Sequence, residues 1–283
     1  MPALPIRNAF SIDVEDYFQV SALAPHYPRG DWDNQICRVE RNVDRMLSML
    51  DDCNSNATFF TLGWIAERYP QLIKRIVAGG HELASHGYGH QRASELSRED
   101  FFHDIIRAKK ILEDLSNRPV IGYRAPSFSI GKNNLWALDS LAEAGYEYSS
   151  SIYPIRHDHY GMPEAPRFAF RSRGTKSLLE LPATTIRLFN RNLPAAGGGY
   201  FRLLPYPLSR WSINRVNRTD KQPCIFYCHP WEIDPDQPRP SGMTLKTRFR
   251  HYVNLAKTES RLRSLLKDFR WGRVDHIFLG KAN

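Results

Sequence analysis

The chain is poor in cysteine, and its four thiols (Cys37, Cys53, Cys224 and Cys228) include no CxxC pair. That spacing argues against a zinc ribbon and a disulfide-stapled fold; buried thiols in a reducing compartment are expected. No apolar run approaches the roughly 18 residues of a membrane-spanning helix, and residues 1–7 lack the apolar stretch of an export signal. A soluble, cytoplasmic protein is therefore expected. Neither GxGxxG nor a Walker-type phosphate loop occurs, which weakens any nucleotide-binding reading. Internal repeats and low-complexity tracts are also missing.

What is present is a chain of 283 residues, 42% hydrophobic and 24% charged, enough for a packed α/β domain. The formal charge of +9 favours anionic partners. A denser share of the excess lies in residues 246–273, where a basic amphipathic helix over 244–269 is expected to close the domain. That helix could touch a membrane surface peripherally. No nucleic-acid motif accompanies the charge, so no nucleic-acid partner is expected. Oligomeric state is not legible.

Short apolar runs at 9–14, 57–62, 82–85, 122–124, 147–150, 178–181 and 224–228 read as strands. Helical patterns at 40–51, 64–78, 97–115 and 133–144 lie between most of them. Pro70 should break the second helix, and Ser97 with Asp100 should cap the third. Such alternation predicts a parallel sheet, and chemistry at strand ends predicts a distorted (β/α) barrel of about seven parallel strands with a C-terminal helix. Residues 155–175 and 194–200 read as loops. The three glycines Gly197, Gly198 and Gly199 would allow close backbone approach to a ligand, or a hinge.

Four segments carry chemistry. The first is Asp13-Val14-Glu15-Asp16, three carboxylates after a strand. Crowded like charges raise one another's pKa unless a cation intervenes, so one carboxylate could hold a metal while another acts as base, with Asp13 the obvious base. The second is His86-Gly-Tyr-Gly-His90, whose imidazoles can reach one metal ion. The third is His229-Pro230-Trp231-Glu232 at the end of a strand. His229 there suits a third ligand, a general acid or a structural role, Trp231 could stack on a sugar, and Glu180 or Glu232 could orient the imidazole. In the fourth, Gly122-Tyr-Arg124-Ala-Pro126, Arg124 can clamp a carboxylate. Together these are the parts of a metal-assisted hydrolase.

The ordered set Asp13…Asp16, His86-x-x-x-His90, Arg124-x-Pro126 and His229-Pro230 resembles the polysaccharide deacetylases of carbohydrate esterase family 4, the NodB homology group. The resemblance covers roughly residues 8–235, with a basic helical extension from about 240 to 283, and treats 1–283 as one catalytic domain. Asp13-Val-Glu-Asp-Tyr-Phe, Gly198-Gly-Tyr200-Phe-Arg202 and His229-Pro-Trp231-Glu-Ile-Asp look like the branch associated with bacterial exopolysaccharide and exosortase (PEP-CTERM) loci.

The resemblance implies hydrolysis of an N-acetyl group from an N-acetylated sugar. Asp13 would be the base, Arg124 its holder and His229 the acid. His86 and His90, with either Asp16 or Glu15, would hold one divalent metal. Zinc is the expectation, with cobalt, nickel, manganese or iron as alternatives. Trp231, Tyr200 and Pro126 would face the carbohydrate. Tyr148-Ser-Ser-Ser151 stands where the family often has a carboxylate, so Glu180 is expected to orient His229. Relatives of this fold also open cyclic amides or ureides, and a non-catalytic glycan-binding module is the alternative from another class.

Overall fold

The computed structural model describes residues 6–281 apart from His159, Gly174 and Thr175. Its strands are β1 (Arg7–Val14), β2 (Thr58–Thr61), β3 (Glu82–Ser85), β4 (Gly122–Tyr123), β5 (Tyr148–Ser149), β6 (Phe170–Arg171), β7 (Leu179–Glu180), β8 (Thr185–Leu188), β9 (Arg191–Pro194), β10 (Ile225–Cys228) and β11 (Arg270–Gly272). The main sheet runs β10-β1-β2-β3-β4-β5-β7-β6, with β11 added to the start of β1. Every pairing in it is parallel except β6 with β7.

β1 is central because it can be buried on both faces. Ala9, Phe10, Ile12 and Val14 are fully enclosed, the continuous apolar run that a helix-covered parallel strand needs. The sheet curls into a half-barrel with helices outside, rather than closing as a complete barrel. Between the β7 side and β10 the links are local and include two hydrogen bonds. Ile225 N donates to Thr184 Oγ1 (2.7 Å) and Tyr227 N to Ala196 O (2.7 Å).

The helices follow the sequence closely. Val39–Asp52 covers the first expected segment, and the second splits at Pro70 into Gly63–Arg68 and Pro70–Ala78. Arg98–Ser116 starts after Ser97, whose hydroxyl accepts from Asp100 N (3.1 Å). The fourth is Trp136–Glu143.

Three expectations need correction. The helix over 244–269 is two helices, Leu245–Tyr252 and Leu255–Asp268. Asn254 takes left-handed geometry (φ 55°) between them, and its Nδ2 donates to Arg202 O (2.8 Å). The stretch 155–175 contains β6, and its residues His159, Gly174 and Thr175 lie outside the described residues. The glycines of 194–200 open a helix, Gly198–Leu203, rather than a free loop. A Cβ at Gly197 (φ 122°) would stand 2.0 Å from Tyr227 O, so at this glycine the close approach is to β10, while Gly199 lines the cleft. The antiparallel β8–β9 hairpin was not foreseen. All four cysteines are free, but only Cys224 and Cys228 are buried; Cys37 and Cys53 are partly exposed.

Candidate active site

Parallel pairing brings the C-terminal ends of β1, β3, β4, β5 and β10 to one rim, where a cleft of about 560 Å³ opens. Asp13 lies in β1, and His86, Arg124 and His229 each follow the last residue of their strand. Asp13, Glu15, His86, His90 and His229 all line the cleft.

Arg124 is fully buried and its guanidinium is almost completely engaged. Nη1 donates to Asp13 Oδ1 (2.7 Å) and Ser11 Oγ (2.8 Å), Nε to Ser150 O (3.1 Å) and Nη2 to Ser150 Oγ (3.0 Å). The fixed fork therefore points one oxygen of Asp13 at Arg124 and leaves Oδ2 facing the cleft.

Glu15, His86 and His90 each offer a ligand atom within 4.8 Å of the other two. Glu15 Oε2 stands 2.5 Å from His90 Nε2, and among the described residues this buried oxygen has no contact of hydrogen-bond geometry. Burial alone would push the Glu15 carboxyl up, but His90 and His229 outweigh it and hold it far below the usual carboxylate range. His86 Nδ1 bonds the Arg124 carbonyl (2.8 Å). A carbonyl only accepts, so Nδ1 carries the proton and Nε2 is left with its lone pair for a cation. Burial lowers the His86 pKa to about 4, so the ring stays neutral. This donor set fits a divalent metal ion: two imidazoles, an ionised carboxylate and an orphaned oxygen.

The histidine loop is held from below. Gly87 adopts φ 76°, a Cβ there would meet Asp104 Oδ2 at 2.8 Å, and that oxygen accepts from Tyr88 N (3.0 Å). His90 itself sits in left-handed geometry (φ 56°). Asp104, inside helix Arg98–Ser116, escaped the sequence reading because nothing marks it apart from other surface-helix acids.

Asp16, expected as an alternative ligand, is not in the cluster. Its oxygens accept from Tyr17 N (2.8 Å), Arg38 N and Val39 N (2.8 Å), so it caps the turn after β1. Of the two alternatives, Glu15 is the one beside the histidines.

His229 Nε2 faces Glu15 Oε1 at 3.5 Å and Asp13 Oδ2 at 3.9 Å, while Nδ1 is 3.4 Å from Glu232 Oε2. Burial would lower its pKa, but Glu15, Glu232 and Asp13 overcome this and raise it to about 9. Glu232 is lowered to about 2: burial opposes its charge, and Arg202 and His229 outweigh that. Arg202 Nε donates to Glu232 Oε1 (2.8 Å), and its Nη1 donates to the His251 carbonyl.

Glu180, the expected partner of His229, is engaged elsewhere. Its Oε1 accepts from Ser151 N (2.8 Å) and Ile152 N (2.8 Å), fixing the serine run after β5. Glu232 takes the role instead. Arg202 ends the motif Gly198–Arg202, but its pairing with Glu232 was not foreseen, and His251 was missed because its distance from the motifs in sequence hides its contact in space.

The expected carbohydrate contacts divide. Tyr200 lines the cleft. Trp231 reaches it too, but it is only 4% exposed and its ring stacks on His229 (5.2 Å, 16°) and on His251 (4.4 Å, 13°), which leaves little of it open to a sugar. Its Nε1 donates to Glu15 Oε1 (3.0 Å), so it positions rather than stacks. Pro126 is buried, and the next two residues, Ser127 and Phe128, face the cleft in its place.

Residues 31–149 match the family model described as polysaccharide deacetylase, and residues 150–279 match the domain of unknown function DUF3473. A peptidoglycan-N-acetylglucosamine deacetylase of Bacillus cereus is 33% identical over 96 residues, 34% of this chain and 35% of that protein. A peptidoglycan deacetylase of Helicobacter pylori is 28% identical over 156 residues, 53% of this chain and 50% of its own. The chain thus spans about a third to a half of these relatives.

Among solved structures, a Mycobacterium smegmatis protein described as a polysaccharide deacetylase has a TM-score of 0.61 at 19% identity, covering 98% of this chain and 93% of its own. Puue allantoinase has the same TM-score at 14% identity, covering 98% and 90%. Likeness at these identities establishes the fold alone. The family match places a polysaccharide deacetylase domain in residues 31–149, continued by a DUF3473 region over residues 150–279.

Proposed function

We propose that the chain is a metal-dependent deacetylase that removes acetyl from an N-acetylated amino sugar in a polysaccharide or its precursor. We take residues 1–283 as one catalytic unit. The observation that carries this reading is the donor cluster Glu15, His86 and His90, set beside an Arg124-held Asp13 and a protonated His229 on one cleft.

Glu15, His86 and His90 would hold a divalent ion, which would supply a Lewis acid able to polarise an amide carbonyl and acidify a water molecule. Zinc is the expected metal for two imidazoles and a carboxylate; cobalt, nickel, manganese and iron accept the same donors. Asp13 takes the proton of the attacking water through Oδ2, while Arg124 keeps the other oxygen engaged. His229, as imidazolium, gives its Nε2 proton to the sugar nitrogen as the C–N bond breaks, and acetate and a free amine leave. Glu232 and Trp231 hold that ring. The half-barrel does not separate acetamide from ureide hydrolysis, because the deacetylase and allantoinase folds are equally similar. The polysaccharide deacetylase family match favours the acetamide.

The test is acetate release from N-acetylglucosamine oligomers by protein stripped with chelator and then reloaded. Release should vanish on stripping and return with zinc or cobalt, and Asp13→Asn should lower it by about two orders of magnitude or more. Unchanged turnover by stripped protein, or ureide hydrolysis with no acetate release, overturns the reading.

A further inference from the structure

Helix Leu245–Tyr252 borders the mouth of the cleft, and its outer face presents apolar and basic side chains together. Leu245 is 83% exposed and Phe249, one helical turn on, is 58% exposed. Leu203, 46% exposed, extends the apolar strip from the adjoining helix Gly198–Leu203. Lys246, Arg248 and Arg250 are exposed around it. From Gln237 to Thr258 the chain carries Arg239, Lys246, Arg248, Arg250 and Lys257, and no aspartate or glutamate. Asp158 approaches Lys246 (3.7 Å) and Arg250 (3.9 Å) as an exposed, water-screened pairing that leaves the patch strongly basic.

The helix is also firmly mounted. Its inner residue His251 is buried, with Nε2 bonded to Gln237 Oε1 (2.7 Å) and its carbonyl held by Arg202, and Tyr252 Oη donates to Pro238 O (2.8 Å). An exposed leucine and phenylalanine on a fixed helix, ringed by cations, fit an interface with an apolar layer beneath an anionic one.

We propose that this helix is a peripheral docking surface for an anionic lipid membrane, with the cleft opening toward the bilayer. A soluble polyanion would match the cations but offers no place for Leu245 and Phe249. Lys246, Phe249 and Arg250 line the cleft as well, so the docking face and the entry for substrate coincide. A glycan carried on the lipid surface would enter without the protein leaving it. The inference stands apart from the deacetylase reading, because docking is measured without turnover.

The test is co-sedimentation with vesicles of phosphatidylcholine alone and of phosphatidylcholine with phosphatidylglycerol, at about 0.15 M salt and at higher salt. Binding should favour the anionic vesicles by roughly tenfold or more and weaken as salt rises. Leu245→Ser with Arg248→Gln, neither of which lines the cleft, should abolish most of that binding while leaving circular dichroism and acetate release unchanged. Equal binding to both vesicle types, or unaltered binding by the double variant, overturns the proposal. Retention on heparin without vesicle binding also overturns it and reassigns the face to an anionic polymer.

Discussion

At the scale of single residues, the site's reactive groups were legible and their supports were not. Asp13, His86, His90, Arg124 and His229 stand at strand ends in motifs whose chemistry is readable from residue type and spacing. Glu180, which also ends a strand, was expected ahead of Glu232 to be the orienting carboxylate. Its oxygen is spent on the amides of Ser151 and Ile152, a competition between acceptors that only folded geometry reveals. Glu232, three residues beyond His229, is the partner and carries a testable consequence. It helps to raise His229 to about 9, so Glu232→Gln should lower that value. A general acid is lost as pH rises through its pKa, so the basic limb of the kcat/KM profile should move to lower pH. The rate should fall about tenfold or more at pH 8 and much less at pH 6.5. A uniform loss across pH would mean that Glu232 supports only packing. Glu180→Gln, by contrast, should reduce stability and leave the shape of the profile intact.

At the scale of elements, legibility followed burial. β1, β2, β3 and β10 are buried along almost all their length, and unbroken apolar runs announce them. The β8–β9 hairpin is half exposed and mixed in composition, so no run marked it. The break after Tyr252 was hidden because apolar positions continue in helical register on either side. What enforces it is tertiary: Asn254 and Arg261 both donate to the Arg202 carbonyl (2.8 Å each) near the end of helix Gly198–Leu203. The glycine run carries a signal whose partner the sequence alone does not name. At Gly197 the close approach is to β10, where it bridges directly to Tyr227. Gly197→Ala would force a Cβ into the Tyr227 carbonyl in a conformation that L-residues avoid, so unfolding should be easier by about 3 kcal/mol or more. Gly199→Ala, with only Arg202 Nη2 near at 3.9 Å, should cost less than about 1 kcal/mol. Thermal or urea unfolding of the pair decides it, and equal stabilities would show that the strand can shift to make room.

At the scale of the whole molecule, the C-terminal half completes what the first half begins. β10 delivers His229 beside Asp13, Arg202 fixes Glu232, and β11 pairs with the start of β1. This folding-back also buries imidazoles in neutral form. His81 is packed against Phe59, and its Nδ1 accepts from Ala57 N (3.2 Å), a bond that exists only while that nitrogen is unprotonated. Burial lowers His81 to about 4, His86 to about 4 and His251 to about 3. In the unfolded chain each titrates near 6.5, so between that pH and about 4 the unfolded state binds more protons. Their stabilisation is complete above pH 6.5 and is lost progressively as pH falls toward 4, so the metal-stripped protein should melt at steadily lower temperature over that interval. For His81 alone, the shift from 6.5 to about 4 corresponds to roughly 3 kcal/mol. His81→Asn keeps an acceptor near the Nδ1 position and cannot titrate there. Its melting temperature should fall less steeply with acid than the parent's, whatever its offset at pH 7.5. Parallel curves would mean that His81 gains no proton on unfolding and that the acid sensitivity belongs to the other two imidazoles.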